Sequence, residues 1–498
     1  MQDESDAAQQ QDEAAGDVVR WRILAVLLTV IFMSLVGVSI VNVALPAIQE
    51  ALDASQSDLQ WVLSGYALTF GVVLIAAGRA GDIMGRGGIF IIGVVVFTLS
   101  SIAAGLAPDA FWLNVARFVQ GVGSGLLSPQ AVGMIQQYFK GPERGKAFGY
   151  FGSTVGVAVG IGPVLGGFLI KLGGMEWGWR LTFLVNVPAG VLAIVLALIW
   201  FPKPLLAIGK HAAPAAGADP AARGWRSLDP VGSLLIGLAV LAILFPFVES
   251  RSSMLTWLLL PIGIGLIYIW IRWERRYARL GYSPMVDLNI FATRSFSNGS
   301  LIMTLYFTGM TSIWVLVPLY VQQGDGKTAL EAGLFGIPSA ILTTYAANWA
   351  GHRVIEYGRK MVVGGLFFAI AGVALSIVVV LLHEAGWISI WWLLATLGLI
   401  GIAQGSVISP NQTLTLMDVP VSYAGSSGAI MQTGQRIGTS VGIAVITAAV
   451  FAMLQTTSWP VAVTVGFALI GLIILLTLVV AIIDMRGRGG EQSTHSPR

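Results

Sequence analysis

The residues able to do chemistry in this chain are few, and the embedded ones are cationic. Arg117 and Gln120 stand about one helical turn apart inside an apolar stretch, and Arg436 sits in another. A guanidinium in hydrocarbon costs about 2.5–3.5 kcal/mol on insertion scales, so each must face a polar interior and find a partner. An embedded carboxylate is the usual way to hold a proton or attract a cation, yet no Asp or Glu falls within an apolar stretch. Asp58, Glu176, Glu249 and Glu331 lie at one set of stretch ends, and Asp82, Asp229 and Asp484 at the other. Asp82 is the best placed of them. It belongs to the turn Gly78-Arg-Ala-Gly-Asp-Ile-Met-Gly-Arg86, where it can pair with a neighbouring Arg or sit at a helix N-terminus. Asp58, near Trp61, is a second titratable group if it reaches a cavity mouth.

Other chemistries are excluded by what the chain lacks. Zero cysteines rule out disulfides, thiolate catalysis and Cys-ligated metals. His211, His352, His383 and His495 lie far apart in loops or tails, so neither a metal site nor a cofactor is expected. There is no HExxH or P-loop, which argues against an enzyme. The net charge of +3 is spread over loops without a basic patch, so no nucleic-acid partner is expected.

The elements that position these residues must be membrane helices. The chain is 56% hydrophobic and 11% charged, against roughly 25% charge in soluble domains. Apolar runs of about 20 residues, each long enough for a hydrocarbon core of roughly 30 Å, recur from residues 21–45 to 461–483. Fourteen are expected, all helical, because open strands leave backbone groups unsatisfied in lipid. Of the 28 Lys and Arg, only Lys171, Arg180, Arg251 and Lys327 then fall on the outer side, with Arg117 and Arg436 inside spans. That bias places both termini in the cytoplasm.

Composition also divides the chain. Residues 1–19 read as a disordered cytoplasmic tail and 20–201 as a six-helix bundle. A cytoplasmic linker at 202–229 precedes a two-helix insertion at 230–273, and a second linker follows at 274–295. A second six-helix bundle at 296–483 leads to a cytoplasmic tail at 484–498. The two bundles look like repeats. Ser128-Pro129 recurs as Ser409-Pro410, and Gly152, Gly156 and Gly160 as Gly434, Gly438 and Gly442. The charged turn recurs as Gly351…Gly358-Arg359, with Ile355 in place of Asp82. Two such halves around a midplane site are a transporter architecture.

The motifs together resemble the major facilitator superfamily, in its fourteen-helix drug/proton antiporter branch. Gly78, Asp82, Gly85 and Arg86 match the loop signature G-x-x-x-D-x-x-G-R-[RK], with Gly87 and Gly88 in place of the usual basic residues. The segment from Arg117 through Gln120 to Gly123 is similar to the family's fourth-helix motif, which the resemblance links to proton transfer or cavity lining. On the fifth span, Gly152, Gly156, Gly160, Gly162, Pro163, Gly166 and Gly167 resemble the exporter-associated motif. Physically those glycines make a smooth packing stripe, and Pro163 a kink. Ile40-Val-Asn42, Gln60-Trp61 with Tyr66, Trp179-Arg180 and Arg436 with Gly438 are similar to the branch elsewhere. One departure stands out: Gly37 occupies the position where many branch members carry an Asp.

The resemblance implies a monomeric secondary exporter of small amphiphilic compounds in a bacterial cytoplasmic membrane, driven by proton entry. Asn42, Tyr66, Arg117, Gln120, Arg436 and Asp58 are the expected contacts for cargo or protons. Gly78, Asp82, Gly85 and Arg86 would form a latch, and Gly156, Gly160, Gly162, Pro163, Gly166 and Gly167 a hinge. A carrier of lipids or cell-envelope precursors with the same fold is the alternative.

Overall fold

A backbone in lipid must satisfy its polar groups within each segment. The computed structural model meets that demand with helices alone: among the described residues there is no strand. Those residues are 2–206, 228–248, 254–282 and 284–494. Most of the linker expected at 202–229, with His211, and Arg251, His495 and the last residues of the final tail lie outside them.

The first bundle region holds α1 (Gln2–Leu52), α2 (Gln56–Met84), α3 (Arg86–Gly105), α4 (Ala110–Tyr138), α5 (Gly141–Leu184) and α6 (Asn186–Trp200). A hairpin follows, α7 (Pro230–Val248) and α8 (Leu259–Arg279). Then come α9 (Arg294–Met310), α10 (Ile313–Leu319), α11 (Ala329–Leu334) and α12 (Ile337–Tyr357). The chain closes with α13 (Arg359–Glu384), α14 (Leu393–Thr415), α15 (Ala424–Leu454) and α16 (Trp459–Thr494).

Several boundaries differ from the sequence expectation. Residues 2–19, expected to be a disordered tail, continue α1 without a break. Their Ala, Gln and Glu residues are good helix formers, and the helix they extend is already nucleated. The helix α8 likewise runs past residue 273 to Arg279, and α16 runs past residue 483. In α5 the backbone leaves helical geometry at Gly174 (φ 65°), whereas Pro163 stays inside the helix. Glycine reaches positive φ without a Cβ clash, so the bend falls there.

Among the described residues, twelve helical stretches are long and apolar enough to cross a membrane, rather than fourteen. The two expected spans outside this set are α4 and α12. Their polarity is the reason: α4 carries Asn114, Arg117, Gln120, Gln130, Gln136 and Gln137, and α12 carries Asn348, His352, Arg353 and Glu356.

Packing groups the helices by sequence. In the first region α1 packs on α5, and α4 on α2 and α3. In the last region α14 packs on α12 and α13, and α9 on α15 and α16. The α7–α8 hairpin lies against α2 and α15. Two seams join the regions, α5 against α12 and α14, and α2 with α4 against α15. Both depend on glycine. A Cβ on Gly78 would stand 2.6 Å from the Gly425 carbonyl, and one on Gly149 3.0 Å from the Ala347 carbonyl. Gly145 and Gly351 touch backbone to backbone. Small residues allow this approach, and dispersion between close backbones then replaces hydrophobic drive.

The stripe expected on the fifth span thus serves two neighbours. Gly152, Gly156 and Gly160 face α12, through Ala347, Thr343 and Ala340, while Gly162 and Gly166 face Ser39 and Ile40 of α1. Gly167 has no neighbour within 4 Å of an added Cβ. Overpacking of such a seam costs about 1–3 kcal/mol. Gly156→Ala, with Thr343 3.0 Å away, should lower the melting temperature of purified protein slightly, and Gly160→Leu should lower it substantially. Equal melting temperatures for the two variants would contradict close packing at this seam.

Candidate functional site

The first cluster gathers at Asp82, in the turn between α2 and α3. Asp82 is 5% exposed, which is costly for a carboxylate unless its oxygens are well bonded. Arg86 supplies two of those bonds, Nε and Nη2 donating to Oδ1 at 3.1 and 2.8 Å. The others come from the start of α15. The Gly425 N–H donates to Oδ1 at 2.9 Å, and the Ser426 N–H and hydroxyl donate to Oδ2 at 2.9 and 2.7 Å. Asp82 therefore caps a helix that begins more than 300 residues later. The first N–H groups of a helix have no partner within it, and its dipole favours an anion there.

Neighbouring side chains bind the same junction. Arg86 also donates to Gln137 Oε1 and to the Val421 carbonyl. Gln136 of α4, fully buried, donates to the carbonyls of Leu416 and Val419 at 2.9 and 3.0 Å. Gly85 takes φ 107°, which turns the chain from α2 into α3. Gly78, Asp82, Gly85 and Arg86 are thus one structural unit, and both arrangements open to Asp82 occur together.

The corresponding turn of the second half is built differently. Arg359 pairs with the buried Asp484 at 2.6 Å and bonds Asn411 and the Ser295 carbonyl, all within its own half. Asn298 donates to the other oxygen of Asp484. Ile355, at the position of Asp82, is 42% exposed.

The second cluster lies deeper along α2, α4 and α15. The Arg117 guanidinium donates to the Val62 carbonyl at 2.8 Å and to Gln120 Oε1 at 2.5 Å. Its face lies 4.4 Å from the Tyr66 ring centroid. Gln120 passes the chain on to Ser101 at 2.7 Å, and the Tyr66 hydroxyl bonds Ser124 at 2.6 Å and Ser34 at 3.3 Å. Arg117 is 1% exposed, so it does not snorkel to an interface. A carbonyl, an amide oxygen and an aromatic face replace the missing carboxylate.

Arg436 reaches the same place from α15. Its guanidinium lies 4.1 Å from the Phe70 ring, and Phe70 tilts against Tyr66 at 6.0 Å between centroids. Two cations from opposite halves thus flank one pair of aromatic rings. Among the described residues Arg436 has this ring contact but neither a hydrogen bond nor an ion pair.

Tyr66, Arg117, Gln120 and Arg436 are brought together; Asn42 and Asp58 are not. Asn42 is exposed on α1 and makes none of these contacts. Asp58 is committed to a capping box at the start of α2, accepting from the Ser55 N–H and hydroxyl at 3.0 and 2.7 Å. Glu331 does the same with Thr328 at α11, and those bonds hold its carboxyl below the usual range. The two boxes stand equally far before Gly78 and Gly351, so they extend the repeat. Their Ser-x-x-Asp and Thr-x-x-Glu spacing was the readable signal for a structural role.

Sequence reasoning also missed Gly425, Ser426, Gln136 and Phe70. Phe70 follows Tyr66 by four residues on one helix face and could have been paired with it. Nothing in the local sequence around Gly425 indicates that its cap comes from another helix.

Comparisons with known proteins bear on the family and the fold. Residues 27–443 match the family described as Major Facilitator Superfamily. A Streptomyces coelicolor protein described as "Probable actinorhodin transporter" is 31% identical over 439 residues, covering 87% of this chain and 73% of that protein. "Multidrug resistance protein Stp" of Mycobacterium tuberculosis is 29% identical, over 86% of this chain and 76% of its own. The fold of the human organic anion transporter MFSD10 superposes with TM-score 0.66 at 12% identity, covering 93% of this chain and 99% of that one. These likenesses to transporters, rather than enzymes, coincide with the membrane helices, the charged turn and the glycine seams: the chain is a multi-pass membrane protein and belongs to the Major Facilitator Superfamily.

Proposed function

We propose that this protein exports small amphiphilic molecules across a bacterial cytoplasmic membrane by alternating access, in exchange for protons. The observation that carries the reading is the Asp82 carboxylate bonded to the first N–H groups of α15. It is a polar junction between two halves, and it can be broken without unfolding either. The antibiotic and multidrug character of the relatives supports export of small molecules.

Topology follows from the same reading. The helices α4 and α12 cross the membrane as well, giving fourteen spans around a central two-helix insertion. The α4 helix is 29 residues long, roughly 43 Å at 1.5 Å per residue, and its Arg117, Gln120, Gln130 and Gln136 are buried inward. Both termini and the Asp82 end then lie in the cytoplasm, as the basic loops require. The arrangement described here is closed on that side. Opening would require Asp82 to leave α15 and the seam at Gly78–Gly425 to part.

The cargo would meet the Arg117–Tyr66–Phe70–Arg436 cluster. A cation held only by a ring offers its unused donors to an anion or a carbonyl. Neutral and anionic amphiphiles are therefore the preferred class over dications.

Two outcomes follow. Asp82→Asn keeps the shape of the junction but removes its charge and leaves Arg86 unbalanced. Export by cells or proteoliposomes should fall at least about tenfold, equivalent to 1.4 kcal/mol, with expression retained. Unchanged export would show that the junction is not the latch. Arg436→Gln should weaken binding of an anionic dye about tenfold while sparing a matched dication. Competition binding on purified protein that ranked the dication first in the wild type would refute the cluster's proposed selectivity.

A further inference from the structure

Behind the latch, the α7–α8 hairpin encloses a second pair of acids, Asp229 and Glu274. Asp229 is 0% exposed and Glu274 is 1% exposed. Asp229, immediately before the first residue of α7, accepts the Gly232 N–H at 2.9 Å through Oδ1. Its two oxygens also accept the Trp273 indole N–H at 3.0 and 3.1 Å. Glu274 Oε2 accepts the Val286 N–H at 3.5 Å, while Glu274 Oε1 has no hydrogen-bond partner among the described residues. That oxygen lies within electrostatic reach of Asp229. A Cβ on Gly232 would collide with Asp229 Oδ2 and lie 2.8 Å from Glu274 Oε1, so the two carboxylates crowd one point that only glycine leaves open.

The surrounding charges do not balance two carboxylates. From α2, the buried Arg79 lies within electrostatic reach of Asp229, Glu274, Asp82 and Tyr423. Asp82 is already matched by Arg86. On the approach to α9, Asp287 hydrogen-bonds Tyr423, the residue before α15, and adds no positive charge. One guanidinium, Arg79, thus faces two buried acids, which leaves one negative charge in excess. Buried carboxylates at close range cannot both ionise cheaply, and sharing a proton is the usual resolution.

We propose that Asp229 and Glu274 form a proton-binding pair, holding one proton between them while the Asp82 end is closed. The proposal deepens the antiport reading, because it supplies a titratable group that the Arg117–Arg436 cluster lacks. Release is a simple transfer: the carboxyl O–H bond breaks, the proton passes to cytoplasmic water, and the second carboxylate is left facing Arg79. Movement of the α7–α8 hairpin away from α2 would open that path, and the same Arg79 lies within reach of Asp82.

Infrared difference spectroscopy on the purified full chain, titrated from about pH 5 to about pH 9, tests this directly. A protonated-carboxyl stretch that shifts in heavy water should be present in the wild type near neutral pH. It should disappear in Glu274→Gln and in Asp229→Asn and persist in Asp82→Asn. Gly232→Ala, which drives the oxygens apart, should shift the band and provides a second reading if an acid variant fails to fold. A band unchanged in both acid variants, or absent from the wild type, overturns the proposal. In proteoliposomes, Glu274→Gln should retain cargo counterflow but lose accumulation driven by a proton gradient. Retained proton-driven accumulation would overturn the coupling role of the pair. If wild-type transport ignored the gradient while the band behaved as expected, the antiport reading would fail and the proton site would stand.

Discussion

One carboxylate holds the two halves of this protein in register. Asp82 lies in a turn of the first half, yet three of its five hydrogen bonds come from the start of α15, the other two from Arg86. The placement answers three demands at once. The anion is buried with its lone pairs filled, the arginine is neutralised, and the exposed N–H groups of a late helix are capped. An interaction of this kind, near the end of two antiparallel helices, fixes their register along the α2–α15 seam. The glycines at 78 and 425 then bring the backbones close enough for the bonds to form.

Deeper in the membrane, charge is handled without acids. Arg117 rests on a carbonyl, an amide and an aromatic face, and Arg436 on another ring. Aromatic quadrupoles and oriented backbone dipoles are fixed partial charges that cannot titrate. The centre of the molecule therefore keeps its positive potential at any physiological pH, while titratable acids are confined to the ends. At Gly37 an added side chain would meet Phe97 and Asn186 at 3.4 and 3.5 Å.

Much of this was legible in the residues, for identifiable reasons. The helices follow from apolar length, the turn from its glycines, and the Arg117–Gln120 pair from a three-residue spacing. The repeat was visible in Ser-Pro and Gly-x-x-x-Gly pairs, and the seams now show those residues meeting across the halves: Ser128 donates to Gln432, and Gly152 packs beside Ser409. What could not be read was any contact joining distant segments. The cap on α15 and the crowding of Asp229 by Glu274 depend on tertiary placement that no local pattern encodes. The α4 helix, expected as a span, buries its amides against its neighbours, and its polar composition sets it apart from the twelve long apolar stretches.

The two seams joining the halves differ in kind, and the difference has a mechanical meaning. Across the α2–α15 seam a buried carboxylate accepts helix N–H and hydroxyl donors, whereas the α5–α12 seam is glycine against small side chains, with Ser153 donating to the Thr344 carbonyl at 2.9 Å. Dispersion contacts are blind to protonation, but a carboxylate that accepts helix N–H groups is not. A change in charge state therefore loosens one edge of the molecule and leaves the other as stiff as before. In the proposed alternating-access cycle, motion between the halves would then be biased into a swing about the α5–α12 line, much as a door turns on its jamb once the bolt is drawn.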